Sequence, residues 1–181
     1  MNKIRLLILL AMLLCSTQGM AQEDAITKGI GWLKGTQNTS GSWGDEEKFG
    51  SCVIDTTAVL DTFHYLGKTD IAYNQGIEWL GTQAIFSPSL LARKIKTLAE
   101  FGTDTSSLIE LLLSYQNEDG SFGGYGIGNL DTILSLSTLK SANYTNNSVI
   151  EPALLWLIAN QKEDGGFGFD ESNVYLTSLA I

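Results

Sequence analysis

The sequence predicts an all-α fold of antiparallel helical hairpins, about four hairpins and eight helices, on three observations. First, one pattern occurs four times: an apolar run, an aromatic-Leu or Leu-Leu pair, then glutamine, with the glutamines at 37, 83, 116 and 161. Second, the runs have helical period. Leu108, Leu111, Leu112 and Tyr115 fall at i, i+3, i+4 and i+7, and Leu90, Leu91, Ile95 and Leu98 form a similar stripe. Third, three of the four glutamines are followed by a Gly-aromatic-Gly turn and then a second apolar run. No alternation of strand and helix patterns competes with this.

The first hairpin runs from Ile26 to Gln37, turns at Gly41-Ser42-Trp43-Gly44 and returns through residues 53–66, with Gly67 where a helix end is expected. Thr69-Asp70 supplies an N-cap for the second hairpin, which carries Ile77, Trp79 and Leu80 before Gln83. That hairpin lacks the glycine turn and passes through Phe86-Ser87-Pro88, with proline at a first helical turn, into residues 90–101 and Gly102. The third begins at Asp104-Thr105, reaches Gln116, turns at Gly120-Ser121-Phe122-Gly123 and returns through residues 130–139. The fourth reaches Gln161, turns at Gly165-Gly166-Phe167-Gly168 and returns from Val174. The glutamine spacings are 46, 33 and 45, the short one spanning the hairpin without a loop, so the unit is two helices with an optional loop. The loops explain 19 glycines in a helical chain, since glycine is costly inside helices. The acids of Asn117-Glu118-Asp119-Gly120 and Lys162-Glu163-Asp164-Gly165 are turn chemistry. A calcium reading of them is weaker, because they lack the alternating ligands of an EF-hand.

Composition bounds the rest. The chain has 181 residues and a net charge of −9, with 17% charged residues. That is long enough for one domain with a real core. The acidic balance excludes nucleic acid, whose phosphates need a basic face. Lys3 and Arg5, an apolar run from Leu6 to Cys15 and Gly19-Met20-Ala21 read as a signal peptide over 1–21, whose ten-residue apolar run is too short to span a membrane. Its cleavage would leave a repeat domain over 22–181, with 9 basic and 20 acidic residues and no membrane span. The expected location is secreted, periplasmic or cell-surface. One cysteine, Cys52, would remain, so no internal disulfide is expected and Cys52 reads as a small buried apolar residue. Asn38, Asn143 and Asn146 begin formal glycosylation sequons.

Lys28-Gly29-(x)2-Trp32-Leu33-(x)3-Gln37-(x)3-Gly41-x-Trp43 resembles the QW motif of squalene and hopene cyclases, a repeat also found in the β subunits of protein prenyltransferases. The third and fourth copies are similar, with Phe122 and Phe167 in place of tryptophan. The resemblance implies an α/α-toroid in which the glutamine ties helix ends together and the aromatic covers it. Gln37, Gln83, Gln116 and Gln161, with Trp43, Phe122 and Phe167, are then structural residues first. Physical reasoning agrees, since an amide can serve the unpaired carbonyls and N–H groups of helix ends. Four hairpins would make an incomplete ring, which points to a fragment of a longer protein.

The chemistry of those relatives is not matched. No D-x-D-D acid cluster is present, and the nearest acids are Asp55 and Asp131, each a single aspartate before a threonine. They are the weak catalytic candidates, read first as N-caps or loop anchors and second as ligand contacts. The same alignment puts Leu176 at that place in the fourth hairpin, so the aspartate is not needed in every copy. The zinc site of prenyltransferases needs Asp, Cys and His, but Cys52 and His64 stand twelve residues apart on one helix, about 18 Å. No metal or cofactor is expected. The Cys-Gly-Glu-Gln element of thioester-containing toroids is missing, and Gly124-Tyr125-Gly126-Ile127-Gly128 lacks the strand and lysine of a phosphate loop. Arg93-Lys94-x-Lys96 reads as a solvated helix face.

The function expected is a secreted, non-catalytic binding or scaffold module for a glycan, a protein or an apolar ligand, with Trp43, Tyr125, Asp55 and Asp131 as contact candidates. The alternative is the N-terminal part of a toroid enzyme, polysaccharide lyase-like or terpenoid cyclase- or prenyltransferase-like, with catalytic residues beyond Ile181. A spacer in a larger surface protein is the third reading.

Overall fold

Eight helices and no strand occupy the described residues of the computed structural model, 23–124 and 128–181. The expected signal at 1–21 and the contact candidate Tyr125 lie outside them. The helices are α1 (23–35), α2 (Phe49–Tyr65), α3 (Ile71–Thr82), α4 (Pro88–Glu100), α5 (Ser106–Leu113), α6 (Gly128–Ser141), α7 (Asn147–Ala159) and α8 (Val174–Ala180). None of those described is long and apolar enough to cross a membrane.

The second helices of the hairpins form a continuous row: α2 packs on α4, α4 on α6 and α6 on α8. The first helices line that row, α3 against α2 and α4, α5 against α4, and α7 against α6. One core of buried residues runs from Ile30 through Leu60, Phe63, Leu80, Leu91, Ile95 and Leu112 to Ala153, and a smaller cluster joins Ile133, Leu157 and Phe167. Each fully buried large apolar side chain contributes roughly 1.5–3 kcal/mol by leaving water. At the α4–α6 contact small residues replace large ones. Thr132, Ser135 and Thr138 of α6 are buried, and Thr138 Oγ1 donates to the carbonyl of Ala92 at 3.0 Å. A hydroxyl bound to backbone lets two helices approach with its polar group paired, as at Thr138, whereas Ser135 Oγ is buried with no partner among the described residues.

Successive hairpins are joined by five residues each time, 66–70, 101–105 and 142–146. The second residue of each connector is left-handed: Gly67 at φ +63°, Gly102 at +73° and Asn143 at +53°. Behind each, the next N–H reaches back to the helix: Lys68 to the carbonyl of Phe63, Thr103 to that of Leu98 and Tyr144 to that of Leu139. This pairs the last orphan carbonyls. Asn143 does what glycine does elsewhere, because asparagine tolerates this conformation better than other side chains. The connectors also start the next helix. Asp70 and Asn146 accept N–H bonds from Tyr73 and Ser148, and Asp104 accepts from Ser106. Two of the three sequons are therefore engaged in helix termini.

The second hairpin corrects the reading of Lys94 as a solvated residue. Lys94 is 3% exposed, and its ammonium donates to the carbonyls of Gly81 and Gln83 at 2.9 and 2.7 Å. These carbonyls end α3, where a cation is favoured by the helix dipole and no glycine loop is available to pair them. Burial lowers the Lys94 pKa below the ordinary lysine value. Gln83, without a loop to hold, turns back onto the carbonyl of Trp79 in its own helix.

At the far end α8 has seven residues, against 17, 13 and 14 for α2, α4 and α6. Beside it Leu136, Tyr144, Ile150, Leu157 and Leu179 line an apolar groove of about 540 Å³.

The connectors make a measurable prediction. Gly67→Ala and Gly102→Ala each lower the free energy of unfolding by about 1 kcal/mol, because the added Cβ is strained at positive φ. Asn143→Gly costs nothing. Urea midpoints at constant m-value read the difference.

Candidate functional site

The three long loops are built alike, from the glutamine outward. Gln37 Nε2 donates to the carbonyl of Gly41 in its own loop and to that of Ala72 in the next hairpin, both at 2.8 Å. Gln116 Nε2 repeats this with Gly120 at 3.1 Å and Val149 at 2.8 Å. Gln161 Nε2 makes the loop bond alone, to Gly165 at 2.8 Å. Inside the first and third loops a backbone turn closes from Asn38 to Ser42 and from Asn117 to Ser121. The Asn38 and Asn117 amides add bonds to Ser42 and Ser121 Oγ and to the carbonyls of Gly44 and Gly123.

The aromatic residues follow the turns inward. Trp43, Phe122 and Phe167 are buried, at 3%, 0% and 8% exposure. The Trp43 ring lies against Gly76 and edge-on to Phe63 at 5.9 Å, and its indole donates to the carbonyl of Leu33 at 2.6 Å. A Cβ on Gly76 would come within 2.7 Å of that ring. Trp43 is thus a core residue, and the expectation that it touches a ligand is corrected: burial leaves it no free surface.

A residue type that sequence reasoning passed over holds each loop to its return helix. The backbone N–H of Trp43 donates to Thr56 Oγ1 at 2.8 Å, that of Phe122 to Thr132 Oγ1 at 2.9 Å, and that of Phe167 to Thr177 Oγ1 at 2.9 Å. The signal was present, because the threonine follows the Asp or Leu position in all three copies while the aspartate is missing from the fourth hairpin.

The two aspartates diverge, and neither caps its own helix. Asp55 sits one and a half turns inside α2, exposed, accepting from Ser51 Oγ at 3.1 Å. Its carboxylate lies under Gly44, where a Cβ would come within 2.5 Å. Asp131 is 1% exposed and accepts the N–H of Ser89 at 2.9 Å, in the first turn of α4. It therefore caps the neighbouring helix, a favourable place for a negative charge. Desolvation raises the Asp131 pKa above the ordinary carboxylate value, against the lowering effect of the Ser89 bonds. Both of its surroundings, helix end and loop glycine, are backbone, so it has no access to a substrate. Cys52 is buried, with Sγ donating to the carbonyl of Asp45 at 3.1 Å, and its thiol pKa is raised by burial. His64 is exposed and stacks edge-on with Phe101 at 5.3 Å. Among the described residues no group of three or more His, Cys, Asp or Glu could hold a metal ion.

A cleft of about 340 Å³ lies open between the third and fourth loops. Asn117, Asn129, Trp156, Asn160, Lys162 and Phe169 line it. Its walls are held from behind: Asn129 Nδ2 donates to the carbonyl of Gly168, Asn160 Nδ2 to that of Trp156, and Lys162 Nζ to that of Phe169. The Trp156 indole donates to Asp119 Oδ2 at 3.1 Å, which ties the third loop to α7. Among the described residues Asn129 Oδ1 is buried without a hydrogen-bond partner, an arrangement that costs about 1–3 kcal/mol. The Phe169 ring is 70% exposed at the rim.

Two measurements test this assembly. Thr56→Val and Thr132→Val keep side-chain shape but strand a buried N–H, and each costs about 1–3 kcal/mol in urea unfolding. Thr62→Val, at an exposed position, costs much less. Asp131→Asn keeps the acceptor for Ser89 without the charge. Because Asp131 has a raised folded pKa, its contribution to stability is complete below the ordinary carboxylate value and is lost as pH rises through the folded one. The stability of wild type relative to Asp131→Asn accordingly falls between acid and neutral pH.

Comparison with protein-family models gives no match, and comparison with curated proteins gives none either.

Proposed function

We propose that the protein is a secreted, non-catalytic repeat module of the squalene cyclase and prenyltransferase type, an α/α-toroid in part, and that it binds carbohydrate in the cleft between its third and fourth loops. The observation that carries this is the cleft lining: three asparagine amides, a lysine and two aromatic side chains on one open surface. Sugars offer hydroxyls that pair with planar amides as donor and acceptor at once, and C–H faces that stack on aromatic rings.

The test is equilibrium binding to a panel of neutral and acidic oligosaccharides. One class binds, and Phe169→Ala weakens it about tenfold, the loss of roughly 1.4 kcal/mol of stacking. Tyr65→Ala, exposed on α2, leaves binding unchanged. Absence of binding across the panel, or affinity indifferent to Phe169→Ala, overturns the reading.

A further inference from the structure

The junction of the first hairpin with the second departs from its copy between the third and fourth. Aligning Gly76 of α3 with Ala153 of α7 sets Gln75, Glu78 and Thr82 at the places of Pro152, Leu155 and Ala159, while Trp79 matches Trp156. Three polar side chains thus stand where the copy carries apolar ones. In the loops, Ser40 stands at the place of Asp119. Asp119 accepts from the Trp156 indole, whereas Ser40 Oγ donates to Glu46 Oε1 at 2.7 Å, away from α3. The side-chain bonds that reach Trp79 go to its carbonyl, from Thr82 Oγ1 and Gln83 Nε2. Its indole N–H has no partner among the described residues.

These departures share one cleft. Thr39 and Ser40 of the first loop face Gln75, Glu78, Trp79 and Thr82 of α3 across about 320 Å³. That volume lies near the lower end of the range of ligand sites. Both walls are fixed. Gln37 ties the loop to the carbonyl of Ala72, and a Cβ on Gly41 would come within 2.7 Å of the carbonyl of Gln75. The groups along the cleft are unspent. Among the described residues the side chains of Thr39, Gln75 and Glu78 make no hydrogen bond, and Glu78 makes no ion pair.

An indole offers an apolar face and a donor at its edge, a carboxylate accepts two hydroxyls at once, and an amide both donates and accepts. A sugar ring presents the complement, C–H faces flanked by neighbouring hydroxyls. A carboxylate with no cation beside it opposes an acidic saccharide, in contrast to the cleft between the third and fourth loops, where Lys162 stands.

We propose that the cleft between the first loop and α3 is a second carbohydrate site, selective for neutral sugars. Trp79 supplies the stacking face and a donor, and Glu78 and Gln75 pair the hydroxyls. It shares no residue with the cleft between the third and fourth loops, so the chain presents two separate sugar sites.

Proton–nitrogen correlation NMR of the tryptophan indoles tests it, with the Trp79 signal assigned through Trp79→Phe. The titrants are cellohexaose, maltohexaose and xylohexaose as neutral sugars, trigalacturonate as an acidic one, and tetramethylammonium as a cation that a carboxylate and an indole could hold without hydroxyls. At least one neutral sugar moves the Trp79 signal saturably, and the two charged titrants leave it in place. Glu78→Gln, at an exposed position, keeps the circular dichroism of wild type and weakens this binding about tenfold, because hydrogen bonds to an ionised group are the stronger ones. Phe169→Ala leaves the Trp79 shift intact. A Trp79 signal that no neutral sugar moves overturns the proposal, as does one moved equally by a charged titrant or a shift indifferent to Glu78→Gln. Sugar binding that Phe169→Ala abolishes while the Trp79 signal stays still overturns this second site alone and leaves the first.

Discussion

The structure depends on one amide group used twice. A glutamine at the end of a first helix donates one N–H to its own loop and the other to the first turn of the next hairpin. The carbonyls it meets belong to backbone that packing withdraws from water, where an unpaired polar group costs more than the bond itself contributes. The amide thus fixes loop shape and hairpin spacing together. The aromatic residue can then be buried against the following helix, and the threonine of the return helix pairs the N–H which that burial removes from solvent.

Much of this was legible in the chain. The helical period, the four glutamines and the glycine turns carried the fold class, and Gly67 and Gly102 marked helix ends that the structure places at positive φ. Asn143 escaped because asparagine marks a left-handed turn less distinctly than glycine, and its sequon suggested a different use. Lys94 was misread because a basic run looks alike whether it is solvated or capping. Only the missing loop at Gln83, which strands the carbonyls of α3, shows that a buried cation is wanted there.

The candidate site was less legible, for a physical reason. Asn129, Asn160 and Phe169 have no pattern of their own, and they share a surface only because two loops lie side by side. The repeated aromatics Trp43, Phe122 and Phe167 are buried and meet no ligand. Repetition there reflects the core, since a residue needed in every copy is one that every junction buries. Asp131 is no freer for a ligand, its carboxylate being spent on the N–H of Ser89.

The second hairpin shows that this architecture tolerates losing a whole loop. There the helices meet across a short link, and one ammonium from α4 takes over the pairing of α3. The rows of helices on either side are undisturbed. Loop length is thus a free variable in this fold, separable from the scaffold that supports it. Recognition can diversify in those insertions without renegotiating the core, as the variable loops of a rigid frame do.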